Sequence, residues 1–174
     1  EDYGASPLQV TLLMASYSLA QFFFAPMWGA LSDRAGRRPV MLVSIGGTAI
    51  FLACFAAANT LWMLFLFRTL HGMCAANIGT AQAYVADVTG PEDRARGMGL
   101  IGASFGVGMS VGPFIGGELS VFGLAAPIWA AAALSAINFV WAYFGLKESR
   151  PEGTRTTSTR SIDPRAWLTA LGHR

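Results

Sequence analysis

The sequence predicts an all-α integral membrane protein with five transmembrane helices. Charged residues make up only 13% of the 174 residues and hydrophobic residues 53%, whereas soluble domains carry about 25% charged residues. The charged residues are also clustered, so that long uncharged stretches separate them. Five of these stretches come close to the roughly 20 residues with which a helix crosses a bilayer core about 30 Å thick.

The five spans follow one another along the chain. Leu8–Ala30 holds no charged residue and gives the first span. Val40–Ala86 contains Arg68 as its one charged residue and would be about 70 Å long as a single helix at ~1.5 Å per residue. We therefore divide it into two crossings, with a turn at Asn59 and Thr60. The predicted spans are 8–30, 40–58, 61–86, 97–118 and 127–146.

Basic residues are distributed unevenly between the two ends of these spans. Eleven of the twelve Lys and Arg residues fall in the first loop, in the third loop or after the last span. With five spans these three regions lie on one side of the membrane. Because short basic loops stay on the cytoplasmic side, we expect a multi-pass protein of the inner or plasma membrane with this side in the cytoplasm.

Both ends of the sequence predict a part of a longer protein, in which residues 1–146 form the transmembrane bundle. The chain lacks an initiator Met and enters the first span after seven residues, so we expect a span before it. Residues 147–174 are polar and rich in Thr, Ser and Arg, which predicts a flexible cytoplasmic linker. Within it, Ser161 to Pro164 is typical of a helix start.

Composition and spacing disfavour several other classes. Two cysteines without C-x-x-C spacing give no disulfide framework and no zinc site. A net charge of +2 is too small to indicate a nucleic-acid partner. No nucleophile–base pair or cluster of metal ligands falls in a span, so we predict neither an enzyme nor a metal or cofactor site.

The first loop carries the most distinctive motif, G-A-L-S-D-R-A-G-R-R-P from Gly29 to Pro39. Gly36 supplies the residue that a tight turn between two spans needs. Asp33 and Arg37 are four residues apart, so a helical turn would place them side by side. The spacing alone is equally consistent with a basic anchor that contains a turn glycine.

Arg68 is the one cation inside a predicted span, where its insertion costs roughly 2.5–3.5 kcal/mol. At 100° per residue, a polar and small face forms around it, which suits the wall of a central cavity. This face consists of Arg68, His71, Gly72, Ala75, Gly79 and Gln82. The alternatives are a structural Arg tied to backbone carbonyls and a His71 that is simply packed.

Two further patterns suggest surfaces inside the bundle. Gly108, Gly112 and Gly116 recur every fourth residue and leave a flat face on the helix. Pro113 should bend this helix. Static packing of small residues explains the glycine stripe equally well. In the first span, four side chains lie within about 60° of one another and could line a path for a lipophilic substrate, although ordinary packing accounts for them as well. They are Tyr17, Gln21, Phe24 and Trp28.

Taken in order, these motifs resemble the major facilitator superfamily, in its drug:proton antiporter branch with the multidrug and tetracycline-efflux proteins. The first loop, with Asp33, Arg34, Gly36, Arg37 and Arg38, is similar to the family's signature loop between helices two and three. Arg68 and Gly72 resemble its fourth-helix motif. The stretch from Gly108 to Gly117, which includes Gly112, Pro113 and Gly116, resembles the family's fifth-helix antiporter motif. The stretch from Ala83 to Arg94 resembles the loop that joins the family's fourth and fifth helices.

The resemblance implies helices two to six of a twelve-helix fold, with the first helix and the C-terminal half absent and residues 147–174 as the linker between halves. It implies proton-coupled efflux of lipophilic drug-like compounds by alternating access, as in antibiotic resistance. It also implies an Arg37–Asp87 pair and an Asp33 that lies near a helix of the absent half. The implied partners are lipid, a small-molecule substrate, protons and the missing half. A metabolite or sugar transporter and a non-transporting truncated module are the alternatives.

Overall fold

The computed structural model describes residues 6–149, and these residues form helices and loops without any strand. Five helical segments in this part of the chain are long and apolar enough to cross a membrane. The predicted all-α class with five long apolar helices is therefore confirmed. The helices are α1 Pro7–Ala35, α2 Arg37–Ala56, α3 Leu61–Cys74, α4 Ile78–Val88, α5 Arg94–Ser120 and α6 Ala126–Gly145.

Local signals explain where several helices begin. Ser6 and Gln9 form a capping box, in which each side chain accepts a hydrogen bond from the other residue's backbone N–H, and Pro7 opens α1. Thr60 caps α3 by accepting from the N–H of Met63. Gly36 separates α1 from α2 with a φ of 104°, a left-handed value that glycine adopts without a steric penalty.

The large apolar side chains point outward and the tightly buried positions are mostly small. Phe22 is 74% exposed, Trp62 85% and Phe144 81%, whereas Ser32 and Ser44 are fully buried. A soluble domain shows the opposite distribution. This arrangement suits a bundle whose outer surface contacts lipid and whose helices approach one another through small residues.

Helix packing divides the bundle into a well-packed part and an open part. The most extensive contacts join α2 to α6 and α1 to α3, while α5 packs more lightly along α4 and α6. None of the residues of α5 is buried. One side of α5 is therefore open in the described part of the chain.

The third predicted span is not one continuous helix. It ends as α3 at Cys74, passes through a turn at residues 75–77 and resumes as α4 at Ile78. The expected common face from Arg68 to Gln82 assumed an unbroken helix, and that assumption is wrong. Gln82 is exposed on α4, whereas His71 and Gly72 are buried on α3.

Several sequence-based expectations lie outside the described residues. They concern the first five residues, the linker beyond Ser149 and the helix start at Ser161 to Pro164.

Gly72 on α3 packs tightly against the backbone of α1, and this contact yields a prediction about stability. A Cβ at this position would lie 2.5 Å from the backbone oxygen of Tyr17, whereas a Cβ at Gly79 would meet nothing within 4 Å. We expect Gly72→Ala to lower the free energy of unfolding by roughly 1–3 kcal/mol through overpacking. Gly79→Ala should leave it unchanged or raise it by up to ~1 kcal/mol.

Thermal unfolding of the purified full-length protein in detergent measures both variants. A lower midpoint for Gly72→Ala alone is the expected result. Equal shifts in the two variants would show that the α1–α3 contact at this position is not tight.

Candidate functional site

The first candidate site is an ion cluster at the end of the bundle where α1 turns into α2. Arg37 is only 8% exposed, and its guanidinium contacts two carboxylates. Nη1 lies 2.9 Å from Oδ1 of Asp33, and Nε lies 3.1 Å from Oδ2 of Asp87. Because a buried guanidinium needs partners for its charge, these two carboxylates fix its position between the α1–α2 turn and the end of α4.

Ser32 also forms a hydrogen bond with the Arg37 guanidinium. Its hydroxyl is fully buried, accepts a hydrogen bond of 2.6 Å from Nη1 of Arg37 and donates to the carbonyl of Gly29 at 2.9 Å. Asp33 and Arg37 therefore meet although they belong to different helices. The expected side-by-side placement is present, but the turn at Gly36, not a continuous helix, produces it.

Residues that follow α6 complete this end of the bundle. Glu148 accepts the backbone N–H of Arg37 at 2.9 Å and that of Arg38 at 3.2 Å, one on each carboxylate oxygen. Ser149 donates its hydroxyl to Oδ2 of Asp87 at 3.4 Å. Three carboxylates thus converge on Arg37, two on its side chain and one on its backbone.

The other residues of the first loop lie around this cluster and make different contacts. Arg38 donates from Nη2 to the carbonyl of Tyr143 at 2.8 Å, and its guanidinium lies 5.7 Å from the Tyr143 ring centroid. Arg34 is exposed in the last turn of α1, where a cation complements the helix dipole. Gly29 has open space at its Cα and contributes its carbonyl to Ser32.

The second candidate site surrounds Arg68 in the middle of α3. Its guanidinium lies 4.5 Å from the ring centroid of Tyr17 and 5.7 Å from that of Phe55. The His71 ring lies 5.2 Å from the Tyr17 ring. These faces stabilise the cation through their negative π clouds, an interaction that strengthens when water is excluded. Arg68, His71 and Tyr17 are brought together as a cationic and aromatic cluster between α1 and α3.

Two nitrogens of this cluster have no hydrogen-bond partner among residues 6–149. They are Nε of Arg68 and Nδ1 of His71, both shielded from solvent. Polar atoms in such positions ordinarily find a protein, water or ligand partner. The cluster can therefore accept a further polar group from a bound molecule, from water or from another segment.

The break between α3 and α4 is held by side chains of the neighbouring helices. Trp28 donates to the carbonyl of Met73 at 2.6 Å, and Gln21 donates to that of Ala75 at 3.2 Å. From α2, Ser44 donates to the carbonyl of Cys74. Backbone carbonyls released from a helix at membrane depth need such partners because lipid supplies none.

Asn77 completes this network by donating from Nδ2 to the Ser44 hydroxyl at 2.6 Å. Gln21 and Trp28, which were predicted to line a path for substrate, thus support the broken backbone. Tyr17 alone of the four aromatic or polar side chains on that face contacts Arg68. Whether any of these residues contacts substrate stays a prediction.

The α5 glycine motif presents an open surface. A Cβ placed on any of its four glycines would meet nothing within 4 Å, and α5 continues as one helix through Pro113. The four are Gly108, Gly112, Gly116 and Gly117. Close packing through this stripe is therefore absent among the described residues.

Four site residues escaped sequence reasoning: Ser32, Ser44, Asn77 and Glu148. Only Glu148 had a signal in the sequence, because it is a carboxylate that follows the last predicted span on the side of the basic loops. The hydroxyls and the amide carry no such pattern. Their importance follows from contacts that span 30 residues or more for Ser44 and Asn77.

Comparisons with known proteins identify a family for this chain. A family model described as Major Facilitator Superfamily matches residues 1–174. The chain is 45% identical over 153 residues to the class C tetracycline resistance protein of Escherichia coli, covering 88% of this chain and 39% of that protein. It is 43% identical over 152 residues to the class G protein of Vibrio anguillarum, covering 87% and 39% respectively.

A solved structure is similar as well. The human organic anion transporter MFSD10 (TETRAN) superposes with a TM-score of 0.77 at 34% identity, over 84% of this chain and 34% of that one. The chain thus spans less than two fifths of the length of the curated relatives given above.

The network at the helix break leads to a second stability prediction. Ser44→Ala removes a buried hydroxyl that bonds both Cys74 and Asn77, and it leaves their polar groups unpaired. We expect a loss of roughly 1–3 kcal/mol in the free energy of unfolding. Ser110→Ala is the matched control, because Ser110 is exposed, bonds the Gly106 carbonyl of its own helix and lies off the row formed by Gly108, Gly112 and Gly116.

Thermal unfolding of both full-length variants in detergent tests this expectation. Ser110→Ala should have the same unfolding midpoint as the wild-type protein. A Ser44→Ala variant as stable as the wild type would show that the helix break does not depend on this hydroxyl.

Proposed function

The chain belongs to the Major Facilitator Superfamily, and from this premise we propose that it is part of a secondary active transporter that exports lipophilic drug-like compounds in exchange for protons. The similarity to tetracycline resistance proteins at more than 40% identity is the observation that carries the proposal. The five apolar helices of the described chain fit a multi-pass protein of the bacterial inner membrane. The end of the bundle that carries the first and third loops faces the cytoplasm in this proposal, since Arg34, Arg37, Arg38, Arg94 and Arg96 lie in or beside those loops.

The ion cluster would act as the cytoplasmic gate. It ties the α1–α2 turn to the ends of α4 and α6 through Arg37 and its carboxylates. Asp33 keeps a 50% exposed side chain, so it can also face a helix of the other half. A charge pair that forms in one access state and opens in the other biases the equilibrium between the two states.

The cluster of Arg68, His71 and Tyr17 would face the transport path. Its two unpartnered nitrogens offer donor or acceptor sites at membrane depth, where ionisable groups commonly serve transport. Gln82, which is exposed on α4, belongs to the same proposed path. In this proposal, the protons that are exchanged for substrate also bind in this region.

The open glycine stripe of α5 would pack against a helix of the other half of the transporter. Glycines that leave the helix surface flat let two backbones approach and slide. Helices at such repeat interfaces move when a transporter changes access. Residues 147–174 would then connect the two halves.

Organic anions are a second candidate substrate class. The structurally similar human protein is an organic anion transporter, and Arg68 places a cation in the middle of α3. A cation at membrane depth attracts an anionic group strongly because the surrounding dielectric constant is low. The transport experiment below therefore includes both substrate classes.

The test is transport by the full-length protein in inside-out membrane vesicles. We expect tetracycline accumulation that depends on a proton gradient and stops with a protonophore. Asp33→Asn removes one carboxylate from Arg37 and should reduce the rate by about tenfold, which corresponds to roughly 1.4 kcal/mol. Glu92→Gln is the control, since Glu92 is exposed in the α4–α5 loop, and it should transport normally.

Three results would count against the proposal. Accumulation of an organic anion without tetracycline would favour the second candidate. No accumulation of either compound by well-expressed protein would reject drug export. A normal rate for Asp33→Asn would reject the gate.

A further inference from the structure

We propose that Glu148 is a positioning residue that caps the N-terminus of α2 from the far end of the chain and thereby holds Arg37 in the gate. The inference rests on the proposed function for its effect on transport. Its structural part stands on the hydrogen bonds around Glu148, which can be measured without transport.

The N-terminus of α2 lacks the cap that its own sequence would normally supply. A helix leaves its first N–H groups without partners inside the helix, and a Ser, Thr, Asp or Asn at the N-cap usually accepts one of them. Here the N-cap is Gly36, which has no side chain and makes no such bond. The turn between α1 and α2 requires glycine because of its φ of 104°.

Glu148 takes over this function from 110 residues away. Its Oε1 accepts the N–H of Arg37 at 2.9 Å, and its Oε2 accepts the N–H of Arg38 at 3.2 Å. The carboxylate also occupies the space beside Gly36, since a Cβ on Gly36 would lie 2.5 Å from Oε2. A negative charge at this place complements the positive end of the α2 dipole.

The contact between α2 and α6 is reciprocal. While Glu148 follows α6 and caps α2, Arg38 is the second residue of α2 and donates to the carbonyl of Tyr143 near the C-terminus of α6 at 2.8 Å. Each helix end thus receives the charge that its dipole favours. The same two helices make one of the most extensive contacts in the bundle, and at this end charged side chains bond the backbone of both.

Arg37 links this helix-end contact to the gate. Its backbone N–H bonds Glu148, and its guanidinium bonds Asp33 and Asp87. Displacing the backbone at the first residue of α2 would move the guanidinium away from both carboxylates. Glu148 therefore acts on the gate through Arg37 and not by contact with substrate.

Hydrogen exchange at single amides tests the structural part in the full-length protein. The amides of Arg37 and Arg38 should exchange more slowly than those of Leu61 and Trp62, because the α3 cap Thr60 bonds the N–H of Met63 instead. Glu148→Ala should accelerate exchange at Arg37 and Arg38 by about fivefold, the loss expected for a missing cap. Glu92→Ala is the control and should leave these amides unchanged.

Transport kinetics test the positioning part, with rates normalised to the amount of folded protein. We expect Glu148→Ala to lower the maximal rate severalfold without changing the substrate concentration at half-maximal rate. Glu148→Gln keeps a single acceptor oxygen and should fall between the wild type and Glu148→Ala. A merely structural role would reduce the amount of folded protein but leave the normalised rate unchanged.

The outcomes separate the two proposals. Unchanged exchange at Arg37 and Arg38 in Glu148→Ala would overturn the capping role, whatever the transport result. Faster exchange with a normal transport rate would overturn the positioning role. A wild-type protein that transports neither tetracycline nor an organic anion would overturn the proposed function, while the exchange measurement would still decide whether Glu148 caps α2.

Discussion

The position of Arg37 depends on a single constraint: a buried guanidinium must have its charge and its donors satisfied where two helices meet. Two carboxylates and a buried hydroxyl surround its side chain. Ser32 and Asp33 belong to α1, and Asp87 lies at the end of α4. Because no one helix supplies the whole set, the ends of these helices are held relative to one another by the requirements of one side chain.

A second constraint operates at the break between α3 and α4. Membrane helices tolerate irregular backbone where neighbouring groups satisfy the exposed carbonyls. Here α1 contributes Trp28 and Gln21, and α2 contributes Ser44. The break is thus a property of three packed helices. The Arg68 cluster lies on α3 before the break, and Gln82 lies on α4 after it.

Much of the fold was predictable because it depends on local patterns. Long uncharged stretches gave the five apolar segments, and the glycine of the first loop gave the turn at Gly36. The Arg37–Asp87 pair followed from family resemblance, and the structure contains it. The break at residues 75–77 was not predictable, since the sequence there is Ala-Ala-Asn with neither Gly nor Pro. The donors that bond the carbonyls at the break are distant in sequence. Glu148, which accepts the first N–H groups of α2, is distant as well.

The most direct test of this account is a double-mutant cycle on the free energy of unfolding of the full-length protein. It compares Arg37→Met, Asp87→Asn and the double variant with the wild type. If the ion pair holds the helix ends together, the double variant should lose less stability than the sum of the single losses. The expected coupling is about 1–3 kcal/mol. Losses that add to within ~0.5 kcal/mol would contradict the account, since they would show that Arg37 and Asp87 act independently.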